Sequence, residues 1–378
     1  MKLVNNPFEL MTYLGPQYFC DREEEIRILN HAFDNRRNIV ISSLRRLGKT
    51  NLIFHWHYKL EQEKKVKTIY LDILHTKNDQ EFLSLLVNSA YKLISDQKNI
   101  LQRVLNTLSN IRPTVSIDPF TNQPNFSFEI ADTAQLEQGI DFVFGLLSRQ
   151  FDKIQIAIDE FQVISTYEKT TKIDAILRSC LSKYQGFHML FSGSQENMLT
   201  TLFSDPQKPM FGSTQHISLG KIGYRPYFEF IKNQFETHGQ MISDEAIHEI
   251  LIWTKMHTFY THFLANEVFS SGGKVVDLGI VKRAEEKVIK LFEVNFINIL
   301  KNFPSSQRKV LVAIAKEGEA RNVYNKEFLS KYKLAASSTS QAIGVLEKKD
   351  ILKKDFSSLN ESIFIQDVFF SRYLEYYF

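Results

Sequence analysis

Ser43-Leu44-Arg45-Arg46-Leu47-Gly48-Lys49-Thr50 lies between an apolar run, NIVISS at 38–43, and a stretch with helical patterning, NLIFHWHYKLEQ at 51–62. A loop that cradles phosphate needs backbone N–H groups curled around the anion, a lysine that reaches the outer phosphates, and a hydroxyl for Mg²⁺. The helix that follows adds the positive end of its dipole. Gly48, Lys49 and Thr50 supply the turn, the lysine and the hydroxyl in that order. Ser43 stands where the usual pattern has glycine; a small residue fits there with a more restricted backbone. The stretch predicts a nucleotide-binding loop running from Ser43 through Leu44, Arg45, Arg46, Leu47, Gly48, Lys49 and Thr50 to Asn51.

A second stretch completes the chemistry. Ile154-Gln155-Ile156-Ala157-Ile158-Asp159-Glu160 is an apolar run closed by two carboxylates. In phosphate-loop sites such an aspartate holds Mg²⁺ and such a glutamate orients or deprotonates the attacking water. A further apolar run, FHMLFSGS at 187–194, ends in Ser192 and Ser194, either of which would lie beside the acids and could report the terminal phosphate. The metal pair is therefore Thr50 with Asp159, and the catalytic candidates are Glu160, Lys49, Ser192 and Ser194.

Outward from these motifs, KTIYLDIL at 67–74 is another buried-strand candidate, followed by helical patterning over 79–96. Apolar runs without strict alternation, each followed by a helix, predict a parallel sheet covered on both faces. Residues 113–133 interrupt this rhythm with two alternating runs around a Pro/Asn/Thr turn, which predicts an inserted β-hairpin. After about Gln215 strand signals stop and amphipathic helices follow, with Ser243 as an N-cap and a long helix from Asp277 to Lys301. Pro304 marks a boundary. Beyond it, helices over 305–318, 325–334 and 337–352 and a hairpin over 352–367 make a winged helix-turn-helix.

Composition constrains the remainder. The 378 residues suit two or three domains; 43% hydrophobic and 24% charged residues are ordinary for a folded chain. With 46 basic against 43 acidic residues, the net charge of +3 neither requires nor excludes nucleic acid. Cys20 and Cys180 are the only cysteines, which favours a reducing compartment. MKLVNNPFEL lacks the pattern of a signal peptide, and no apolar stretch reaches the ~20 residues of a membrane span. The expected location is the cytoplasm, with no membrane partner.

Taken in order, NPF at Asn6, Pro7 and Phe8, the stretch Tyr18-Phe19-Cys20-Asp21-Arg22-Glu23, RRLGKT, IAIDEFQ, LFSGSQ and Pro209-Met210-Phe211-Gly212 resemble the AAA+/STAND-type ATPases often called the archaeal ATPase family. The resemblance covers nearly the whole chain. It implies an α/β phosphate-loop NTPase core over 1–215, a helical lid over 216–303 and a winged helix over 304–378, with ATP and Mg²⁺ as ligands. It places Phe19, Arg22 and Glu23 beside the adenine. Two positions depart from the family. Ser213 stands where members carry an arginine for the γ-phosphate, and Thr258, within Met256-His257-Thr258-Phe259-Tyr260, stands where a nucleotide-touching lid motif has proline. Such an arginine supplies a rate factor of ~10³ or more, so its loss predicts slow turnover and a switch rather than a motor. Arg45, Arg46 and Arg225 are candidate substitutes.

Weaker candidates have structural readings. His55 and His57 flank Trp56, but a spacing of two directs them to different helix faces. Asp72 fits a turn or a helix cap as well as the site. On the winged helix, Ser337, Ser338, Thr339, Ser340 and Gln341 offer groups for bases or phosphates, with Lys348, Lys349, Lys353 and Lys354 nearby. A solvated charge run explains the lysines equally well, and the aromatic residues from Tyr373 to Phe378 suit protein packing. The expected function is an ATP-binding, slowly hydrolysing regulatory ATPase; the alternative is a DNA-binding regulator whose nucleotide is structural or vestigial. A protein partner, or self-association driven by ATP, is the further expectation.

Overall fold

The computed structural model describes residues 4–10, 12–94, 100–119, 123–167, 172–355 and 361–378. They fall into two compact units, one of Tyr13–Gly220 and one that joins Met1–Thr12 to Lys221–Phe378.

The first unit is an α/β layer structure. Its strands are β1 (Asn38–Ser42), β2 (Lys67–Asp72), β3 (Thr114–Ile117), β4 (Pro124–Ser127), β5 (Ile154–Asp159), β6 (Phe187–Gly193) and β7 (Thr214–Ser218). Five form one sheet in the order β2-β5-β6-β1-β7, and every pairing in it is parallel. Two cores explain the unbroken apolar runs. Ile39, Ile41, Ala157 and Leu190 face a core with Leu52, Ile53 and Trp56 of helix Lys49–Glu63. Val40, Ile156, Ile158, Met189 and Phe191 face the opposite core, with helices Asp79–Ile94, Thr133–Ser148 and Ile173–Lys183. A central strand with both faces covered has no polar side to alternate with.

β3 and β4 are the predicted hairpin, paired from Thr114↔Ser127 to Ile117↔Pro124; residues 120–122 of its turn, and the predicted end of the preceding helix at 95–96, lie outside the described residues. Sequence patterning alone misses β7. It is an edge strand on which Ile217 is the one buried residue, so the stretch carries almost no apolar signal.

The second unit is helical and ends in the winged helix. Ser243 caps helix Asp244–Trp253 as expected, its Oγ accepting from Ala246 N at 3.2 Å. One short parallel pair, β8 (Met241–Ile242) with β9 (Val275–Val276), lies among the helices. The NPF segment packs here: Phe8 is wholly buried against Phe230, Phe235, His262 and Phe269. Asn6 Nδ2 donates to Asn266 O at 3.0 Å, and Asn266 Nδ2 returns a bond to Phe8 O at 2.9 Å.

Helices Ser305–Glu317, Lys326–Lys331 and Ala336–Lys348 accompany a sheet of β10 (Ala320–Arg321), β12 (Ser362–Ile365) and β11 (Leu352–Asp355), in that spatial order, with β10 falling between the first two helices in the chain. The hairpin turn at 356–360 lies outside the described residues. A final helix, Val368–Tyr377, joins the winged helix to the helical region. Phe369 packs on Trp253, Tyr260, Phe263 and Phe292. Arg372 donates to Trp253 O at 2.8 Å and Ile252 O at 3.1 Å, at the C-terminal end of helix Asp244–Trp253. Among the described residues no helix is long and apolar enough to cross a membrane.

Candidate nucleotide site

The loop after β1 reaches helix Lys49–Glu63 through two left-handed residues, Arg46 (φ 65°) and Gly48 (φ 94°). Glycine meets that demand at 48 without steric cost. The turn puts Lys49 and Thr50 on the first turn of the helix. Lys49 is only 6% exposed, and its Nζ donates to Ser43 Oγ at 3.1 Å. Leu47 is buried, Arg45 and Arg46 are exposed, and Leu44 and Asn51 are half-buried.

Parallel pairing carries the ends of β1, β5 and β6 to the same edge of the sheet, and the acids meet the loop there. Thr50 Oγ1 donates to Asp159 Oδ2 at 2.9 Å. Ser192 Oγ donates to Asp159 Oδ1 at 2.5 Å, and Tyr70 OH to Asp159 Oδ2 at 2.8 Å. Burial first, then the charge of Asp159, holds the Tyr70 phenol well above its ordinary range, so it stays protonated and a donor. A carboxylate and a hydroxyl side by side are hard oxygen donors, the set that suits Mg²⁺.

Glu160, in left-handed backbone (φ 57°), turns its carboxylate toward the end of β6, where Ser194 Oγ donates to Oε2 at 2.9 Å. The structure thus brings Ser43, Lys49, Thr50, Asp159, Glu160, Ser192 and Ser194 together at one sheet edge. Asp72 has a turn role, its Oδ1 accepting from Leu74 N at 2.9 Å. Burial raises its carboxyl above the ordinary range, and Asp159 and Glu160 add to the effect.

Arg22 is 5% exposed. Its Nη2 donates to Leu47 O at 3.3 Å and Gly220 O at 2.7 Å, and its Nη1 pairs with Glu25 at 2.8 Å. The guanidinium braces the loop from behind by gripping its backbone. Phe19 is half-buried and stacks on His55 with ring centroids 4.1 Å apart. Burial pulls His55 down to about 4 and keeps it neutral, with Tyr13 OH 2.8 Å from its Nδ1. His57 is buried apart from it, and among the described residues no cluster of three metal-type side chains occurs. Cys20 and Cys180 are buried thiols, neither in a disulfide, raised by burial, Cys180 to about 12.

Ser213 folds back on its own turn, its Oγ donating to Met210 O at 2.6 Å. An arginine does reach this segment, from elsewhere: Arg178 of helix Ile173–Lys183 donates through Nη1 to Pro209 O, and to Phe211 O at 3.1 Å. Tyr70 and Gln162 are the site neighbours that sequence reasoning misses. Tyr70 reads as an ordinary strand aromatic, and Gln162 as part of the turn after the acids.

On the winged helix, Ser337, Ser338, Ser340 and Gln341 are exposed, whereas Thr339 is buried and donates to Ala335 O at 2.8 Å. Thr339 therefore has no group to offer a base. Lys353 pairs with Asp350 at 2.7 Å, and Lys354 with Glu347 at 3.2 Å and Glu361 at 2.9 Å. Lys349 lies 4.9 Å over the Phe303 ring.

Comparison with known proteins agrees with this architecture. A model described as an ATPase domain predominantly from Archaea matches residues 19–255, and one described as a probable winged helix domain matches 294–376. No match is found among curated proteins. Among solved structures, a Walker-type ATPase of Pyrococcus abyssi is similar at a TM-score of 0.64 and 16% identity, over 97% of this chain and 99% of that one. The Orc2 protein of Aeropyrum pernix, solved with ADPNP and ADP, is similar at 0.60 and 12%, over 98% and 95%. The Orc1 protein of the same organism, solved with DNA, is similar at 0.55 and 12%, over 99% and 97%. Identities this low speak to the fold alone. The first family match runs through both the phosphate loop and the acidic strand and spans well over half of the chain, and the protein therefore belongs to the ATPase family found predominantly in Archaea.

Proposed function

We propose that the protein binds ATP with Mg²⁺, hydrolyses it slowly and uses it as a regulatory switch. One observation carries this reading: the contact between Thr50 and Asp159, which sets the hydroxyl of the loop and the acid of β5 at one point beside the buried Lys49. In this reading Lys49 and the loop from Ser43 to Asn51 hold the phosphates, and Thr50 and Asp159 hold the ion. Bound Mg²⁺ supplies charge neutralisation on the phosphates. Glu160 takes the proton of the attacking water, and Ser192 and Ser194, tied to the two acids, report the terminal phosphate. Phe19 lies beside the base, and Arg22 acts indirectly, through the loop it braces. Slow turnover follows from Ser213 in the place of an arginine, since Arg178 is already committed to carbonyl oxygens.

Measuring ATP binding and turnover by the purified chain tests the reading. Glu160→Gln is expected to leave ATP affinity within about twofold and to lower turnover by about 10²-fold or more, the scale of general-base catalysis. Full turnover in that variant would remove Glu160 from the chemistry.

The exposed serines and Gln341 on helix Ala336–Lys348 favour a second reading, a DNA-binding regulator whose nucleotide is structural. The ion pairs of Lys353 and Lys354 count against it, because phosphate contact would have to break them. DNA affinity that falls steeply with salt and ignores ATP would select this second reading. Exposed Tyr376 and Phe378 leave room for a protein partner or for self-association, read out as molecular mass with and without ATP.

A further inference from the structure

The carboxylate of Glu160 is held by one oxygen. Its Oε2 accepts from Gln162 Nε2 at 2.5 Å, from Ser194 Oγ at 2.9 Å and from Ser194 N at 3.3 Å. Its Oε1 takes no hydrogen bond among the described residues. Gln162 is 2% exposed and follows Glu160 by two residues, on the turn Phe161–Thr166. An ionised carboxylate only accepts, so the amide must present Nε2 to it. That orientation leaves Gln162 Oε1 buried with no partner. The amide also rests against β6 at Gly193, where an added Cβ would lie 2.0 Å from Gln162 Oε1. The Gln162 amide therefore occupies its place only because residue 193 has no side chain.

A group that accepts a proton must present one lone pair to the water and be held firmly by another part of itself. From this geometry we propose that Gln162 is a positioning residue for Glu160: it anchors Oε2, together with Ser194, and leaves Oε1 to meet the attacking water. Gly193 is the complementary element, the gap that lets the amide reach. The buried, unpaired Oε1 of Gln162 is a cost that folding alone would remove by placing an apolar side chain there. The inference rests on the reading of Glu160 as the proton acceptor.

The test separates the two. Gln162→Met keeps the length of the side chain and removes the donor; Gly193→Ala displaces the same amide from the opposite side. Each is expected to lower kcat for ATP hydrolysis about tenfold, the scale of one hydrogen bond to a charged group, with the Kd for ATP and the melting temperature little changed. Gly193→Ala also covers the case in which Gln162→Met fails to fold. An unchanged kcat in a folded variant, or a loss of ATP affinity equal to the loss of kcat, would overturn the assignment. If Glu160→Gln itself turns over normally, the reading of Glu160 fails instead, and that result is distinct from failure of Gln162 alone.

Discussion

Replacing Lys49 by alanine should lower ATP affinity by about 100-fold, which at ~3 kcal/mol is the upper range for a hydrogen bond made to a charged group. The expectation follows from where the ammonium sits. It is 6% exposed, on the first residue of its helix, directly after the left-handed Gly48. Its Nζ already donates to Ser43 Oγ at 3.1 Å, which ties it to the start of the loop. The phosphates of a nucleotide held in that loop would accept charge-assisted hydrogen bonds from the same ammonium. Titration with a fluorescent ATP analogue reads the affinity, and a thermal melt shows whether the variant is folded. A folded Lys49→Ala protein that binds ATP as the wild type does would mean that the loop is not a phosphate site.

The second large effect is expected far from that loop. Phe369→Ala should destabilise the helical unit by about 3–5 kcal/mol, the usual range for emptying an aromatic position in a core. Phe369 is 2% exposed and lies among Trp253, Tyr260, Phe263 and Phe292, with Tyr260 nearest at 4.7 Å between ring centroids. It is the point at which the last helix of the winged module grips the helices before it. The chain has two tryptophans, and only Trp253 touches this cluster, so a Trp56→Phe background makes fluorescence report on it alone. Denaturant unfolding followed by Trp253 should show the lowered midpoint; an unchanged midpoint would show that Phe369 is dispensable to this packing.

The placing of the candidate site was legible in the sequence because it rests on local order. A loop followed by Lys49 and Thr50, and an apolar strand closed by Asp159 and Glu160, come to the same edge of the sheet once its strands are parallel, and the Thr50–Asp159 contact spans the end of β6 between them. Ser243 was legible for the same reason, since a cap and the amide it accepts from are three residues apart. What escaped depends on contacts distant in sequence. Gln162 gains meaning only beside Gly193 and Ser194, and Tyr70 only when β2 lies against β5. The brace made by Arg22 depends on carbonyls at 47 and 220. β7 was missed because an edge strand with one buried residue carries too little apolar periodicity to be noticed. The ion pairs of Lys353 and Lys354 were not legible because their acidic partners come from the helix end, the turn after it and the residue before β12.

The placement of Phe8 has a consequence for biosynthesis. Residues 1–12 belong with 221–378, so the α/β unit is in effect an insertion within its neighbour. On a ribosome the α/β unit can close as soon as its own strands have emerged. Phe8, made before all of them, has to wait without its socket until Phe230, Phe235 and Phe269 are synthesised. Phe8 is therefore among the last side chains of its unit to reach its final packing.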